Sequence, residues 1–395
     1  MAQTTIVVHK DREKPVRNKH PWIFSRGIAK IQGEPRAGEI VNVVSQSGEF
    51  LAQGYWNPKS QIQLRLLTWE NEPINPAWWH QKIQQAITSR PSGVMMQRLI
   101  NAENDYLPGL VVDLYGDVAV LQALTLGIDQ RKHEIANILS DLLPIKTVYE
   151  RSDVDVRKKE GLNLVTGLLW GEEPPDLIEV SELERKILVD VRAGHKTGYY
   201  LDQAASRKTF INLLQHLHTE RPHLRILNLF SYSGSFGLHA LPYGEVTQVD
   251  SSRDVLELAE QIEILNFGTS QATYLQANTF ELLRDLARDG EQFDVIVCDP
   301  PKFAHNVSQI DKATRGYKDL NMNCLKLLAH GGYLFTFSCS GAISRDLFQK
   351  VVFGAASDSK RQAQIIQHLG HAPDHPIAIT FPEGEYLKGL MLRAE

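Results

Sequence analysis

Hydrophobic positions near the N-terminus come in short runs, Gly38 to Val44 (GEIVNVV) and Phe50 to Trp56 (FLAQGYW), separated by glycine-containing turns. No long helical period interrupts them, and this spacing predicts a small β-barrel. A second pattern begins at Ala77, where Ala77 to Arg90 is apolar at helical spacing. It continues as a hairpin, Leu110 to Leu114 and Val118 to Leu124, turning at Tyr115-Gly116-Asp117. A helix is predicted over Ile128 to Leu142 and strands over Thr147 to Arg151 and Leu162 to Leu169, in the order strand, strand, helix, strand, strand. From about Leu177 onward, β-branched and aliphatic runs alternate with helical stretches, as in a mostly parallel sheet covered by helices. The strands fall at Arg225 to Phe230, Glu245 to Val249, Ala272 to Gln276, Phe293 to Cys298 and Gly332 to Ser338.

Two proline-bearing stretches, Glu70 to Pro76 and Gly171 to Asp176, interrupt these patterns and mark domain boundaries. The 395 residues thus divide into a β-barrel over 1–72, a central α+β domain over 73–175 and an α/β domain over 176–395. Hydrophobic content of 43% and charged content of 23% match a folded globular chain. Lys plus Arg is 42 against Asp plus Glu at 47, so a uniformly basic nucleic-acid coat is excluded and any polyanion must meet a local basic surface. The three cysteines, Cys298, Cys324 and Cys339, form no C-x-x-C pair and suggest neither a metal site nor a disulfide framework. The opening residues carry no apolar signal segment, and no window reads as a membrane span, which sets the expectation of a cytoplasmic protein.

In an open parallel sheet, ligands sit beyond the carboxyl ends of the strands, so chemistry is sought there. The strand ending at Phe230 runs into Ser231-Tyr-Ser-Gly234-Ser-Phe-Gly237 and then a helix, a turn in which glycine lets the backbone approach a ligand at a helix N-terminus. The next strand ends in Val249-Asp250, and Asp250 lies 22 positions past Asn228. That offset is near the ~20 residues at which an acid accepts from ribose hydroxyls; a capping Asp is the alternative. The fourth strand ends in Asp299-Pro300-Pro301-Lys302-Phe303, a rigid shelf because each proline fixes φ and removes a donor. The fifth ends in Ser338-Cys339-Ser340-Gly341. If the fourth and fifth strands are adjacent and parallel, Asp299 and Cys339 emerge at one edge. A thiol there is suited to add to an electron-poor aromatic ring. Cys298, inside a strand, and Cys324, inside a helix, read as small buried hydrophobes.

These residues resemble the motifs of S-adenosylmethionine-dependent class I methyltransferases, and more closely the bacterial large-subunit ribosomal RNA methyltransferases that make C5-methylcytosine. The likeness spans nearly the whole chain and includes Lys10 to Phe24, Arg151 to Glu160, His195 to Gln203, Gly316 to Met322 and His375 to Gly389. The resemblance implies a Rossmann-like methyltransferase domain preceded by a PUA barrel and a central α+β domain. It implies Cys339 as nucleophile with Asp299 as its catalytic partner. It also implies that S-adenosylmethionine is held by Gln203, Asn228, Phe230, Ser231, Gly234, Asp250, Asn278 and Asp299. The chain departs from the family pattern at Ser235, where a second glycine is common, at Ala277-Asn278, where an acidic pair is usual, and at Ala204, where arginine is frequent.

The first thirty residues hold Lys10, Arg12, Lys14, Arg17, Lys19, Arg26 and Lys30 against Asp11 and Glu13. That excess is the footprint of phosphate contact, and the resemblance implies large-subunit ribosomal RNA as the partner. His20, Trp22 and Phe24 are interleaved with these cations and are placed to stack on unpaired bases; Trp22 reads equally as barrel core. Two other functions stay open at this stage: methylation of a base nitrogen, which needs no thiol, and a noncatalytic RNA-binding assembly factor.

Overall fold

The computed structural model describes residues 4–395. It divides into two compact units, one built from the chain up to Val180 with Val189–Leu201 and Asp374–Gly384, the other from Ser181–Leu188, Asp202–Pro373 and Glu385–Glu395.

In the first unit, strands β1 (Thr5–Val8), β2 (Trp22–Ile23), β3 (Ile28–Gln32), β4 (Ile40–Val44), β5 (Phe50–Trp56) and β6 (Leu64–Thr68) form one sheet in the order β2-β6-β5-β4-β1-β3, with the short helix α1 (Glu13–Arg17) between β1 and β2. Both predicted apolar runs become strands. Ile6, Val8, Val41, Val43, Leu64 and Leu66 are buried together because successive strand residues face opposite sides and every second one is apolar. Helix α2 (Pro76–Thr88) follows, with Pro76 at its first position and the Asn75 side chain accepting from the Trp78 amide at 3.0 Å. Those are the two devices that start a helix. It packs on a five-stranded sheet ordered β11-β10-β9-β8-β7, made of β7 (Met96–Asn101), β8 (Leu110–Tyr115), β9 (Val118–Ala123), β10 (Thr147–Ser152) and β11 (Val165–Gly171).

The structure adds β7 to the expected elements. Gln97 and Arg98 interrupt its apolar pattern, and Arg98 is accommodated by a two-pronged ion pair to Asp113 on β8, 2.8 and 2.9 Å long. The expected helix over Ile128 to Leu142 is also split, into α3 (Leu126–Asp129) and α4 (Lys132–Leu142). At the break, Arg131 donates to the Gly127 carbonyl at 2.7 Å and so satisfies an orphan acceptor at the end of α3. A further short helix, α5 (Val156–Lys159), precedes β11.

A hairpin, β12 (Ile178–Glu182) and β13 (Arg185–Val189), precedes helix α6 (Ala204–Glu220). The second unit then alternates β14 (Leu224–Leu229), α7 (Ser235–Ala240), β15 (Gly244–Asp250), α8 (Arg253–Phe267), β16 (Thr273–Gln276), α9 (Thr279–Arg288), β17 (Phe293–Cys298), α10 (Ile310–Leu327), β18 (Leu328–Ser338), α11 (Arg345–Ser359), β19 (Ala363–Leu369) and β20 (Lys388–Ala394). Its seven strands are ordered β16-β15-β14-β17-β18-β20-β19. The first five are parallel, and β20 runs antiparallel between β18 and β19. Helices α6 and α7 cover one face, against Ile226, Val295, Val297, Phe335 and Phe337. Helices α9, α10 and α11 cover the other, against Leu227, Leu229, Ile296 and Leu334. Burial on both faces is why these strands read as continuous apolar runs. Strand order reverses between β14 and β17, so the loops after those strands flank the switch point where such folds bind ligands.

Candidate active site

The loop after β14 is held in a costly backbone conformation. Phe230, Tyr232 and Gly234 all have positive φ, at 57, 49 and 76°, and two of these residues carry side chains that disfavour that region. The loop is pinned from β15: Ser231 donates its amide to the Val249 carbonyl at 2.9 Å, and the Tyr232 amide donates to Asp250 Oδ2 at 3.0 Å. Asp250 Oδ1 accepts from the Ser252 amide at 3.1 Å, so its carboxylate is fixed at the end of β15. A β-carbon on Gly234 would lie 2.7 Å from Gln248 Nε2 and 2.9 Å from Ala259 Cβ, so the position admits glycine on both conformational and steric grounds.

Asn228 lies beneath this loop rather than at its surface, donating its side-chain amide to Gln248 Oε1 at 3.0 Å in a buried pair. Sequence reasoning missed Gln248; its signal is its place opposite Asn228 in the register of β14 and β15. Asn278 is exposed and caps α9, its side-chain oxygen accepting from the Phe280 amide at 3.0 Å, which leaves one lone pair for another donor.

Strands β17 and β18 are adjacent and parallel, with Cys298 opposite Thr336. Asp299 directly follows β17 and Cys339 directly follows β18, so carboxylate and thiol leave the sheet at the same edge from neighbouring strands about 4.8 Å apart. Gln203, buried at the start of α6, donates to Asp299 Oδ2 at 2.9 Å. Its neighbour Asp202 accepts from the Tyr386 hydroxyl at 2.7 Å. The two loops are stitched together by Ser340, whose Oγ accepts from the Ala304 amide at 3.2 Å and lies 3.0 Å from the Tyr317 hydroxyl. Tyr317 in turn packs against Phe303, ring centroids 4.8 Å apart. Cys298 and Cys324 are fully buried, as expected; the contact with Cys324 and burial push the Cys298 thiol up, which keeps it neutral. Cys339 is half-buried.

A further residue of this edge was not assigned from sequence. Lys388, at the start of β20, is buried and donates from Nζ to the carbonyls of Ser340 at 2.6 Å and Ile343 at 2.5 Å. Burial pulls its ammonium down to about 8, against the opposing pull of Cys339.

Around the same edge, the buried side-chain oxygens Gln203 Oε1, Ser231 Oγ, Ser233 Oγ and Thr336 Oγ1 have no hydrogen-bond partner among the described residues. Buried polar atoms are nearly always satisfied, so a cluster of orphans beside a glycine turn fits a polar ligand.

In the first unit the basic N-terminal segment is only partly available to an anion. Arg17 is forked onto Glu49 at 2.8 and 2.6 Å and reaches Glu13 at 3.2 Å, and these carboxylates hold its guanidinium above its usual range. Arg12 pairs with Asp11 at 3.3 Å, and His20 lies 3.3 Å from Glu383. Lys10, Lys14 and Lys19 are exposed. Trp22 is half-buried, its indole donating to Glu103 at 2.8 Å and its ring packed 4.7 Å from Phe381. The ring left outside is Phe24, 49% exposed. It borders a cavity of about 650 Å³ lined also by Arg12, Trp22, Arg26 and Gln61. Among the described residues no group of side chains could hold a metal ion, and no helix is long and apolar enough to cross a membrane.

Comparison with known proteins agrees with this architecture. Residues 6–69 match the PUA-like domain family, and residues 202–325 match the family described as Conserved hypothetical protein 95. The crystal structure of SMU.776, assigned as a methyltransferase and solved in complex with SAH, superposes with a TM-score of 0.83 at 20% identity over 98% of this chain and 99% of that one. At that identity the likeness speaks for the fold alone. Sequence relatives are nearer. Ribosomal RNA large subunit methyltransferase I of Tolumonas auensis is 46% identical, covering 99% of each chain, and that of Klebsiella pneumoniae is 45% identical, covering 98% of each. With full-length likeness at that level, a PUA-like segment and a methyltransferase fold in one chain, the protein belongs to the ribosomal RNA large subunit methyltransferase I family.

Proposed function

We propose that this protein is a cytoplasmic S-adenosylmethionine-dependent enzyme that methylates carbon 5 of a cytosine in large-subunit ribosomal RNA through a covalent adduct to Cys339. The observation that carries the reading is the emergence of Cys339 and Asp299 from adjacent parallel strands at one sheet edge. The orphaned oxygens of Gln203, Ser231, Ser233 and Thr336 support a polar cofactor there. In this reading Asp250 accepts from the ribose, and Asn278 uses its remaining lone pair toward the adenine. Phe230, Ser231 and Gly234 shape the loop over the cofactor, with Asn228 supporting it from below. Residues 176–395 perform the chemistry, 1–72 hold RNA and 73–175 form the central domain.

Carbon 5 of cytosine is a weak nucleophile, so the chain must first change the ring. The Cys339 thiolate adds to carbon 6, forming an S–C bond and placing the displaced π electrons on carbon 5 and the N3 side of the ring. Asp299, held by Gln203 at 2.9 Å, hydrogen-bonds N3 or the exocyclic amine and stabilises the charge that develops there. S-adenosylmethionine supplies an electrophilic methyl group to carbon 5. Transfer of the carbon-5 proton to a base then re-forms the carbon 5–carbon 6 double bond, breaks the S–C bond and returns the thiolate. The target must be unpaired or flipped out of a helix to reach the sulfur.

On the RNA side, Lys10, Lys14 and Lys19 supply phosphate contacts, with Arg12, Arg17 and His20 around them. Trp22 and the exposed Phe24 form the aromatic rim of the adjoining cavity. The decisive experiment uses labelled cofactor and protein-free large-subunit RNA. Cys339→Ala abolishes transfer if the adduct operates, and retained transfer with a methyl group found on a ring nitrogen by mass analysis of digested RNA overturns it.

A further inference from the structure

A second cavity of the first unit, about 420 Å³ in volume, adjoins the one beside Phe24: Lys19 lines the second, and His20, the next residue, lines the first. Val16 ties the two together, since its side chain lines the first cavity while its carbonyl accepts at 2.7 Å from the indole of Trp69, which lines the second. Trp69 and Tyr106 form an aromatic wall, ring centroids 6.2 Å apart and planes crossed at 84°. The indole is fixed by its hydrogen bond, and the Tyr106 ring is 40% exposed. Two residues of this cavity, Lys19 and Tyr106, hold positive φ at 63 and 58° without being glycine. Such conformations persist only where the surroundings enforce them, and they gather at ligand sites. Tyr106 is held by the helical turn before it, Ala102–Asp105, whose Asp105 carboxylate pairs with Arg90 and accepts from the Asn101 amide at 2.5 Å. Of the two carboxylates at the cavity, Asp105 is thus neutralised, and Glu70 stands exposed. Of the two cations, Lys82 lies 5.5 Å over the Trp78 ring, and the exposed Lys19 makes no ion pair among the described residues. Asn104 accepts from the Ala378 amide at 3.0 Å through Oδ1, which leaves its NH2 donors for a ligand.

We propose that this cavity seats one unpaired nucleotide of the RNA substrate, distinct from the cytosine that forms the adduct with Cys339. Its base stacks on Tyr106 with Trp69 as the side wall, its phosphate meets Lys19, and Asn104 donates to an acceptor on the base edge. This rests on the reading of the chain as an enzyme of RNA, and it adds a second nucleotide site beside the Phe24 rim. A flat aromatic surface next to an uncommitted cation is what stacking combined with phosphate contact requires. A strand fits better than a free nucleotide, because one lysine facing an exposed Glu70 is a poor match for a doubly charged terminal phosphate, whereas each phosphate of a strand carries a single charge. Lys10 and Lys14, exposed in the same segment, are there for the phosphates on either side. Successive Cα atoms lie ~3.8 Å apart, so a strand crossing Lys19 and His20 reaches both cavities. Paired RNA has its bases stacked inside the helix and offers none to either.

The test is binding of a single-stranded large-subunit RNA fragment to the full-length chain, followed by fluorescence anisotropy. Tyr106→Gly separates binding from folding, because glycine adopts φ 58° without strain and the substitution removes only the ring. It is expected to keep or raise the urea midpoint of unfolding and to weaken binding about five- to a hundredfold, the range found when a stacking aromatic is truncated. The salt dependence is expected to stay as in the wild type, since no charge is lost. Tyr106→Phe keeps the ring and is expected to bind like the wild type. With a fully paired duplex as the probe, Tyr106→Gly is expected to make no difference. Wild-type affinity for the single strand in a folded Tyr106→Gly overturns the proposal, and so does an equal loss with the duplex. Cytidine monophosphate is expected not to displace the fragment at the fragment's own concentration; displacement assigns the cavity to a free nucleotide and overturns the proposal. If Tyr106→Gly unfolds, ultraviolet crosslinking of the wild-type complex decides: nucleotide adducts are expected on the peptides bearing Trp69 or Tyr106, and adducts confined to other peptides overturn it. Failure of the proposed function is a separate result. A wild-type chain that binds no RNA refutes both readings, whereas retained turnover of Cys339→Ala refutes the covalent mechanism and leaves these binding results unchanged.

Discussion

Gln203 donates its side-chain amide to Asp299 Oδ2 at 2.9 Å, joining the start of α6 to the shelf after β17. A hydrogen bond to a charged group contributes roughly 1.5–3 kcal/mol. Gln203→Leu is therefore expected to lower turnover or cofactor affinity by roughly ten- to a hundred-fold while leaving Cys339 alkylation intact. Steady-state kinetics together with calorimetric titration of the cofactor separates the two losses.

Gly234→Ala places a β-carbon at φ 76°, within 2.7 Å of Gln248 Nε2. The strained backbone costs about 1–3 kcal/mol, and the steric conflict displaces the amide that Asn228 uses. Denaturant unfolding should report the loss in stability, and cofactor titration a weaker site. Gln248→Ala in the same chain is expected to recover part of the steric cost and none of the backbone cost.

The expected barrel strands, the parallel strands of the second unit and the burial of Cys298 and Cys324 were legible because each depends on local pattern alone. Strand β7 was not, since Arg98 breaks its apolar alternation and is explained only by Asp113 on the neighbouring strand. Gln248 and Lys388 were illegible for the same reason. Their importance comes from what the register sets opposite them, Asn228 in one case and Ser338 in the other. Trp22 shows the limit from the other side: its place among cations pointed equally to stacking and packing, and Glu103 and Phe381 hold it in a packed position.

Glu182 and Arg207 form a two-pronged pair in the second unit, with the Arg207 side chain fully buried. Burial works against the Glu182 anion, but the charge and hydrogen bonds of Arg207, with the His239 ring 3.9 Å away, overcome it and leave the carboxyl at about 2, below its usual 4.5. A depressed acid stabilises the fold fully above its unfolded value, so this contribution is present above 4.5 and is lost as pH falls toward about 2. Glu182→Ala strands the guanidinium and is expected to cost about 3–5 kcal/mol near neutral pH. Urea titrations at neutral and acid pH should show the difference between variant and wild type shrinking in acid.

RNA affinity should report which cations are already occupied. Lys10→Ala and Lys14→Ala are each expected to reduce the slope of log affinity against log salt by about one, as the loss of a phosphate contact does. Arg17→Ala is expected to reduce it less, because its guanidinium is forked onto Glu49. Phe24→Ala should weaken binding without changing the slope, since it removes a stacking surface and no charge. Anisotropy titrations of a large-subunit RNA fragment across a salt series measure all four.

The insertion of β20 between β18 and β19 imposes an order on assembly, because the middle strand is the last of the three to be synthesised. Until it arrives, β18 and β19 each present an unpaired edge, the kind of surface through which separate molecules zip together. A newly made molecule therefore passes through a sticky stage, and slowing its passage, for instance with a proline at Met391, should yield precipitate before it yields inactive soluble protein.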